Sequence, residues 1–234
     1  MLKTLSLKIV FLNTWNGKIR EEFSDFIKKQ SIDTDIFCFQ EAYDEMRQLA
    51  IDILPDYNEL AAYKFVIEDD DFPQATYIRK NIEVISSGTI LENQKNTGLG
   101  IFHEIKVGEN NVFITNFHGI SKPGNKLDNP ERILQSESLI KFWKDKPGLK
   151  IIGGDFNLFP ETKSIKMFTK NRYRDLIKEY KVPTTRNRLA WEMYPDNPQL
   201  FSDYVFLSPE ISVNSFSVID NKISDHLPMI LEIE

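Results

Sequence analysis

The sequence predicts an α+β fold in which mixed or antiparallel β-sheets pack on one another and carry helices on their flanks. Strand-like runs follow closely at 61–67, 74–79, 82–90, 99–107 and 111–117, some separated by turn signals such as Asn96-Thr97-Gly98 and Gly108-Glu109-Asn110-Asn111. A meander of this kind favours hairpins over the strand–helix alternation of a doubly wound parallel sheet. Helix candidates are few, and polar side chains recur where apolar runs stop, which is how sheet folds gather a site from distant sequence.

In chain order, Met1 to Leu12 is apolar but interrupted by Lys8 and lacks a small-residue cleavage pattern, so it reads as a first strand ending at Asn13 and not as a signal or membrane helix. Ile19, Phe23, Phe26 and Ile27 make one helical face. The run Ile36-Phe37-Cys38-Phe39 ends in Gln40-Glu41, and Met46, Leu49, Ala50 and Ile53 form a second helical face. Glu68-Asp69-Asp70-Asp71 has no spaced ligand pattern for Ca²⁺ and reads as a solvated hairpin tip. His103 alternates with Ile101, Ile105 and Val107, as a hydrogen-bonded structural histidine does, and Cys38 reads as a core filler. The run Val112 to Phe117 stops at His118. A third helix starts with Asn129 as N-cap and Pro130 at the first helical position, and is expected to bury Ile133, Leu134, Ile140 and Trp143.

The segment Ile151-Ile152-Gly153-Gly154-Asp155-Phe156-Asn157 is the most informative. Its apolar start reads as a buried strand, and its glycines as a backbone that turns closely around a ligand. In extended backbone a spacing of two puts Asp155 and Asn157 on one side and Phe156 on the other. Further on, Phe201 to Phe206 carries Asp203 inside an aromatic strand, where a carboxylate must be paired or coordinate a metal. Ser224-Asp225-His226 completes the set.

These residues, in this order from Asn13 to His226, resemble the endonuclease/exonuclease/phosphatase superfamily, whose fold is the DNase I-like four-layer αββα sandwich. The resemblance implies that Asn13, Glu41 and Asp225 serve the catalytic metal, and that Asp155 and Asn157 prepare the attacking water. It also implies that Asp203 and His226 form a carboxylate–imidazole pair on the phosphate, with His118, Asn157 and Arg186 contacting substrate. A histidine at His118 matches the DNase I, sphingomyelinase and deadenylase branches, whereas AP endonucleases usually carry a tyrosine there. Arg132 and Gln135 after the His118 loop, and Thr185-Arg186 ahead of the Asp203 strand, are softer matches. The implied enzyme is a Mg²⁺-dependent (or Mn²⁺-dependent) hydrolase of phosphoesters. A nuclease acting on DNA or RNA is favoured, with a phosphatase or phosphodiesterase of a nucleotide, inositol or sugar phosphate, or lipid headgroup as the alternative.

Composition is compatible with that chemistry. With one Cys and three His, the chain offers no tetrahedral zinc constellation, and an oxygen-rich donor set suits a hard cation. The single cysteine forms no internal disulfide and favours a reducing, cytoplasmic setting. No linker or repeat divides residues 1–234, so one catalytic domain is expected, with no membrane insertion and no obligate protein partner. The net charge of −6 hides an asymmetry: residues 21–71 hold fifteen acids and four bases, and residues 161–190 nine bases and three acids. That basic stretch, including Arg186 and Arg188, is a candidate wall for phosphates. Trp15 and Trp191 are candidates for stacking on a base or packing at a rim.

Overall fold

The computed structural model describes residues 6–66, 70–193 and 195–234. The strands are β1 (Leu7–Asn13), β2 (Ile36–Gln40), β3 (Tyr57–Ala62), β4 (Phe65–Val66), β5 (Asp70–Asp71), β6 (Gln74–Arg79), β7 (Val84–Ile90), β8 (Leu99–Val107), β9 (Asn110–His118), β10 (Leu149–Asp155), β11 (Arg174–Asp175), β12 (Asp203–Leu207), β13 (Val213–Val218) and β14 (Met229–Ile233). The helices are α1 (Arg20–Gln30), α2 (Asp44–Ile53), α3 (Pro130–Lys144), α4 (Lys163–Lys170), α5 (Leu176–Glu179) and α6 (Arg188–Met193). They build two mixed six-stranded sheets, ordered β13-β14-β1-β2-β6-β3 and β11-β12-β10-β9-β8-β7, with β4 and β5 paired in a small sheet of their own. This is the α+β two-sheet architecture the sequence predicts.

Alternation along the strands decides the layers. Ile9, Phe11 and Cys38 of the first sheet and Ile114, Ile151, Val205 and Leu207 of the second belong to one continuous core. The opposite faces of β1 and β2, with Val10, Leu12, Phe37 and Phe39, pack under Phe23 and Ile27 of α1 and Met46 and Ala50 of α2. On the far side of the second sheet, Phe113 meets Trp143 of α3, and Phe206 stacks on Phe168 of α4 at 4.3 Å. Acids in the first turn of α1 and lysines in its last complement its dipole.

Several expectations are revised. Gly153 and Gly154 lie within β10 and do not turn around a ligand. A Cβ on Gly153 would come within 2.7 Å of the Phe11 ring, so the residue is small because the two sheets approach there. The third helix buries Arg132, Gln135, Ser136, Leu139, Ile140 and Trp143, while Ile133 is half-buried and Leu134 exposed. Its inner face is partly polar because Arg132 and Gln135 hold the preceding loop, through bonds to Ser121 O, Pro123 O and Leu127 O from Arg132 and from Gly98 N and Ile120 N to Gln135 Oε1. Asp203 opens β12 instead of lying inside it, because the Ser202 and Asp203 amides donate to Thr185 Oγ1. Of the acidic run 68–71, Glu68 and Asp69 lie outside the described residues, as do Met1 to Leu5 of the expected first strand. Asp70 and Asp71 pair with Val66 and Phe65.

Candidate active site

Strand register assembles the site. Asp155, the last residue of β10, pairs with His118 on the parallel strand β9 and with Asp203 on the antiparallel strand β12. One carboxylate, one imidazole and a second carboxylate are thus adjacent at the ends of three neighbouring inner strands, all facing the other sheet. Across the interface, Asn13 ends β1 and pairs with Gln40 of β2, which places Glu41 next in line. The sheets are stitched there by Asn13 Nδ2, which donates to Glu41 Oε1 and to Asp155 Oδ2, each at 3.0 Å. Deeper, Gln40 Nε2 donates to Asn116 Oδ1 at 2.6 Å.

His226 closes the cluster. Its Nδ1 faces both oxygens of Asp203 at 3.0 Å, and its Nε2 lies 3.7 Å from Asp155 Oδ2 and 3.9 Å from Asp225 Oδ1. Burial and the nearby Arg186 oppose a charge on this imidazole, but Asp203, Asp225 and Asp155 outweigh them and raise its pKa above the ordinary histidine value. Burial would raise the Asp155 pKa, yet His226, Lys126, His118 and the Ser202 hydroxyl together hold it well below the usual carboxylate range. Asp203 goes the other way: burial pushes its pKa up, and His226 only partly offsets that. His118 Nε2 sits 3.8 Å from Asp155 Oδ2, its ring edge-on to Phe72 at 5.0 Å.

Asn157 faces the same place as Asp155, but by a different route from the extended backbone expected. It is left-handed, with φ 54°, and its amide N–H donates to Asp155 Oδ1 at 2.8 Å. Phe156 turns away into a cluster with Phe117, Phe168, Tyr204 and Phe206. Arg186 is buried, ion-paired with Asp225 and backbone-bridged to His226. Arg188 is exposed and pairs with Glu192 at 2.6 Å. The lysines of 161–190 lie exposed on and beside α4 and α5, so the basic stretch divides into one arginine inside the site and a solvated helix surface. Arg132 and Gln135 are loop-holding residues, as described above. Trp15 follows Asn13 with φ 48°, its amide donating to Asn13 Oδ1 at 3.0 Å, and Lys18 lies over its ring.

Asp155, Asp203 and His226 offer ligand atoms all within 4.8 Å of one another, the grouping of metal-ligand type found among the described residues. With Glu41 and Asp225 beside them and Cys38 sealed in the core, the donors are oxygens plus imidazole and no thiolate, a set that fits Mg²⁺ or Mn²⁺.

Residues 10–226 match the model of the Endonuclease/Exonuclease/phosphatase family. The chain belongs to this family. Its fold is also that of solved structures at low identity. A family protein from Bacteroides thetaiotaomicron superimposes with a TM-score of 0.77 at 19% identity, covering 97% of this chain and 94% of that one. The catalytic domain of human Nocturnin, solved with a bound sulfate anion, gives 0.74 at 18% identity over 99% and 95%. A mannosyl-6-phosphatase from Bacteroides thetaiotaomicron gives 0.75 at 17% identity over 97% and 99%. Among curated proteins, no significant match is found. The family carries out phosphoester hydrolysis, and no helix among the described residues is long and apolar enough to cross a membrane.

Two site residues escaped the sequence reading. Lys126, from the loop after His118, is buried and reaches Asn157, and Ser202 donates to Asp155 Oδ1 at 2.5 Å. A lysine in a polar loop carries no periodic signal, a serine beside Phe201 carries none that tells it from an ordinary strand residue, and their partners lie 31 and 47 residues away.

Proposed function

We propose that this chain is a divalent-metal-dependent hydrolase of phosphoester bonds. The observation that carries the reading is the cluster in which strand register sets Asp155 beside Asp203 and His118, with His226 closing it through Asp203. Asn13, Glu41 and Asp225 would hold the cation. When bound, it supplies Lewis-acid stabilisation of phosphate oxygens and a more acidic water.

The chain's own residues supply the rest. Asp155, with its depressed pKa, stays anionic throughout the neutral range, so its Oδ2, which already accepts from Asn13 Nδ2, keeps a lone pair to accept from an attacking water and hold it in line. Asn157 keeps one N–H of Nδ2 for the phosphate once the other is given to Gly119 O at 2.9 Å. Asp203 fixes His226 Nδ1, which leaves Nε2 toward the reaction, and the raised pKa favours an imidazolium that stabilises charge building on the phosphoryl group. His118 is a second donor to that group.

The substrate classes are DNA or RNA phosphodiesters and a small phosphoester. The burial of Arg186 favours the second, or a single scissile phosphate gripped locally, because an arginine held inside the site by Asp225 does not form part of an extended track. Activity on bis(p-nitrophenyl) phosphate, p-nitrophenyl phosphate, oligonucleotides and sugar phosphates should require added Mg²⁺ or Mn²⁺. Glu41→Gln should shift the metal titration to higher concentration, and Asp155→Asn should lower kcat at least ~10²-fold. Full activity in excess EDTA would overturn the metal reading.

A further inference from the structure

Lys126 is 3% exposed, and its ammonium lies beneath the hydrolytic residues. Its Nζ donates to Asn157 Oδ1 at 2.8 Å and to Ser202 Oγ at 2.9 Å. An ammonium has three donors and no acceptor, so each partner's role is forced. Ser202 accepts from Lys126 and must give its single hydrogen elsewhere, and Asp155 Oδ1 receives it at 2.5 Å. Asn157 must turn its oxygen to Lys126, so its nitrogen turns to Gly119 O, and the 180° amide flip is closed off. With the Asn157 amide also donating to it, Asp155 Oδ1 holds two donors, and Oδ2 is left facing Asn13, His118 and His226.

The lysine is delivered by a braced loop. Its backbone is left-handed with φ 55°, and its carbonyl accepts from Phe159 N at 2.9 Å. Arg132 gathers the carbonyls of Ser121, Pro123 and Leu127, and Gln199 Nε2 holds Gly124 O at 2.7 Å. Asp128, two residues on, accepts from the Lys163 and Ser164 amides and so ties the loop to the start of α4. Burial lowers the Lys126 pKa to about 8; Asp155 and Asp203 favour the charged form while Arg186 and Arg132 oppose it, and the result is consistent with an ammonium at neutral pH.

We propose that Lys126 is a positioning residue of the hydrolytic site: its buried ammonium sets the hydrogen-bond polarity of Ser202 and Asn157, so that Asp155 presents Oδ2 and Asn157 presents an N–H to the reacting phosphate. The proposal rests on the phosphoester-hydrolase reading above.

Lys126→Met keeps the length and removes charge and donors. With Mg²⁺ or Mn²⁺ and bis(p-nitrophenyl) phosphate, it should lower kcat by about 10- to 100-fold, the range for an orienting partner, with KM within about twofold. Ser202→Ala should lower kcat less, and the double variant should be no worse than Lys126→Met, because both act through one chain of bonds. A second readout needs neither metal nor turnover. In ¹⁵N-lysine-labelled protein, Lys126 should give a slowly exchanging Nζ correlation that vanishes in Lys126→Met and shifts in Ser202→Ala. Wild-type kcat in Lys126→Met, or losses that multiply in the double variant, would overturn the proposal. So would an Nζ signal indifferent to Ser202→Ala, which also decides the matter if Lys126→Met fails to fold. A wild-type protein inactive on every phosphoester while keeping that Nζ signal would instead overturn the hydrolase reading.

Discussion

Histidines 103, 118 and 226 are chemically identical and set apart by their surroundings. His103 lies in β8 with Nδ1 2.8 Å from Ser87 Oγ, and burial lowers its pKa to about 4, so it is neutral at physiological pH. Because the unfolded chain binds this proton near pH 6.5 and the folded chain near 4, acid favours unfolding across that window. The stability lost at pH 4.5 relative to pH 7 from this residue should be roughly 2–3 kcal/mol. His103→Gln, which keeps a partner for Ser87, should flatten that part of the urea-stability profile; identical pH slopes in both proteins would remove His103 as its source. His226 has the opposite sign: its folded pKa is raised, so its contribution is present below pH 6.5 and lost as pH rises through the folded value. The structural role of His103 was legible in the alternation of its strand and the position of His118 in the apolar run it ends, whereas His226 follows Ser224-Asp225 and was singled out by the family resemblance alone. Lys126 and Ser202 were not legible, since neither a polar loop nor the start of an aromatic run encodes a partner brought near by the fold. His226→Ala should lower kcat at least ~10²-fold in protein that still folds, with a fall in the urea midpoint from the unpaired Asp203, and His118→Ala should cost less activity. Unfolding of His226→Ala would mean that the Asp203 pair is chiefly structural.

At the scale of elements, β10 shows how one strand serves both packing and chemistry. Its apolar half, Ile151 and Ile152, is fully buried, and its last residue is Asp155. Between them, the glycines are required by backbone and ring contacts. Gly154 has φ 134°, and a Cβ there would stand 2.1 Å from Phe117 O on the neighbouring strand. No side chain can rotate away from that clash, so Gly154→Ala should destabilise by about 3 kcal/mol or more and break the His118–Asp155 register. Gly153→Ala presses on the Phe11 ring, and should cost about 1–3 kcal/mol as an overpacked core does. Wild-type urea midpoints for Gly154→Ala would show that the strand has more freedom than its geometry allows. The sequence signalled that these glycines mark close approach, but not that the approaching group is protein. The same limit applies to α3. Its N-cap and Pro130 were readable as local chemistry, whereas the choice of Arg132 and Gln135 over Ile133 and Leu134 for the inner face depends on a loop that those two residues themselves hold.

For the molecule as a whole, the site exists because two sheets end together: β1 and β2 bring Asn13 and Glu41, while β9, β10 and β12 bring His118, Asp155 and Asp203. The order of these residues along the chain was legible and matched a family pattern, while the sheet orders and the place of the basic stretch required the packed structure. That placement makes the substrate question testable through Arg186. An arginine on an outer wall would contact phosphates beyond the scissile one, and its loss would raise KM on oligonucleotides and flatten the salt dependence of binding by roughly one unit of slope. Arg186 is instead buried against Asp225, a position from which, on the proposed reading, it would act on the reacting phosphate or on the residues proposed to hold the cation. Arg186→Ala should therefore lower kcat and affinity together on bis(p-nitrophenyl) phosphate and on oligonucleotides alike, with an unchanged salt slope. Removing it also leaves Asp225 as an unpaired buried carboxylate, so the urea midpoint should fall as well. Steady-state kinetics at three salt concentrations separate the cases: a flattened slope with kcat intact would place Arg186 on a nucleic-acid track and return the main weight to a polynucleotide substrate.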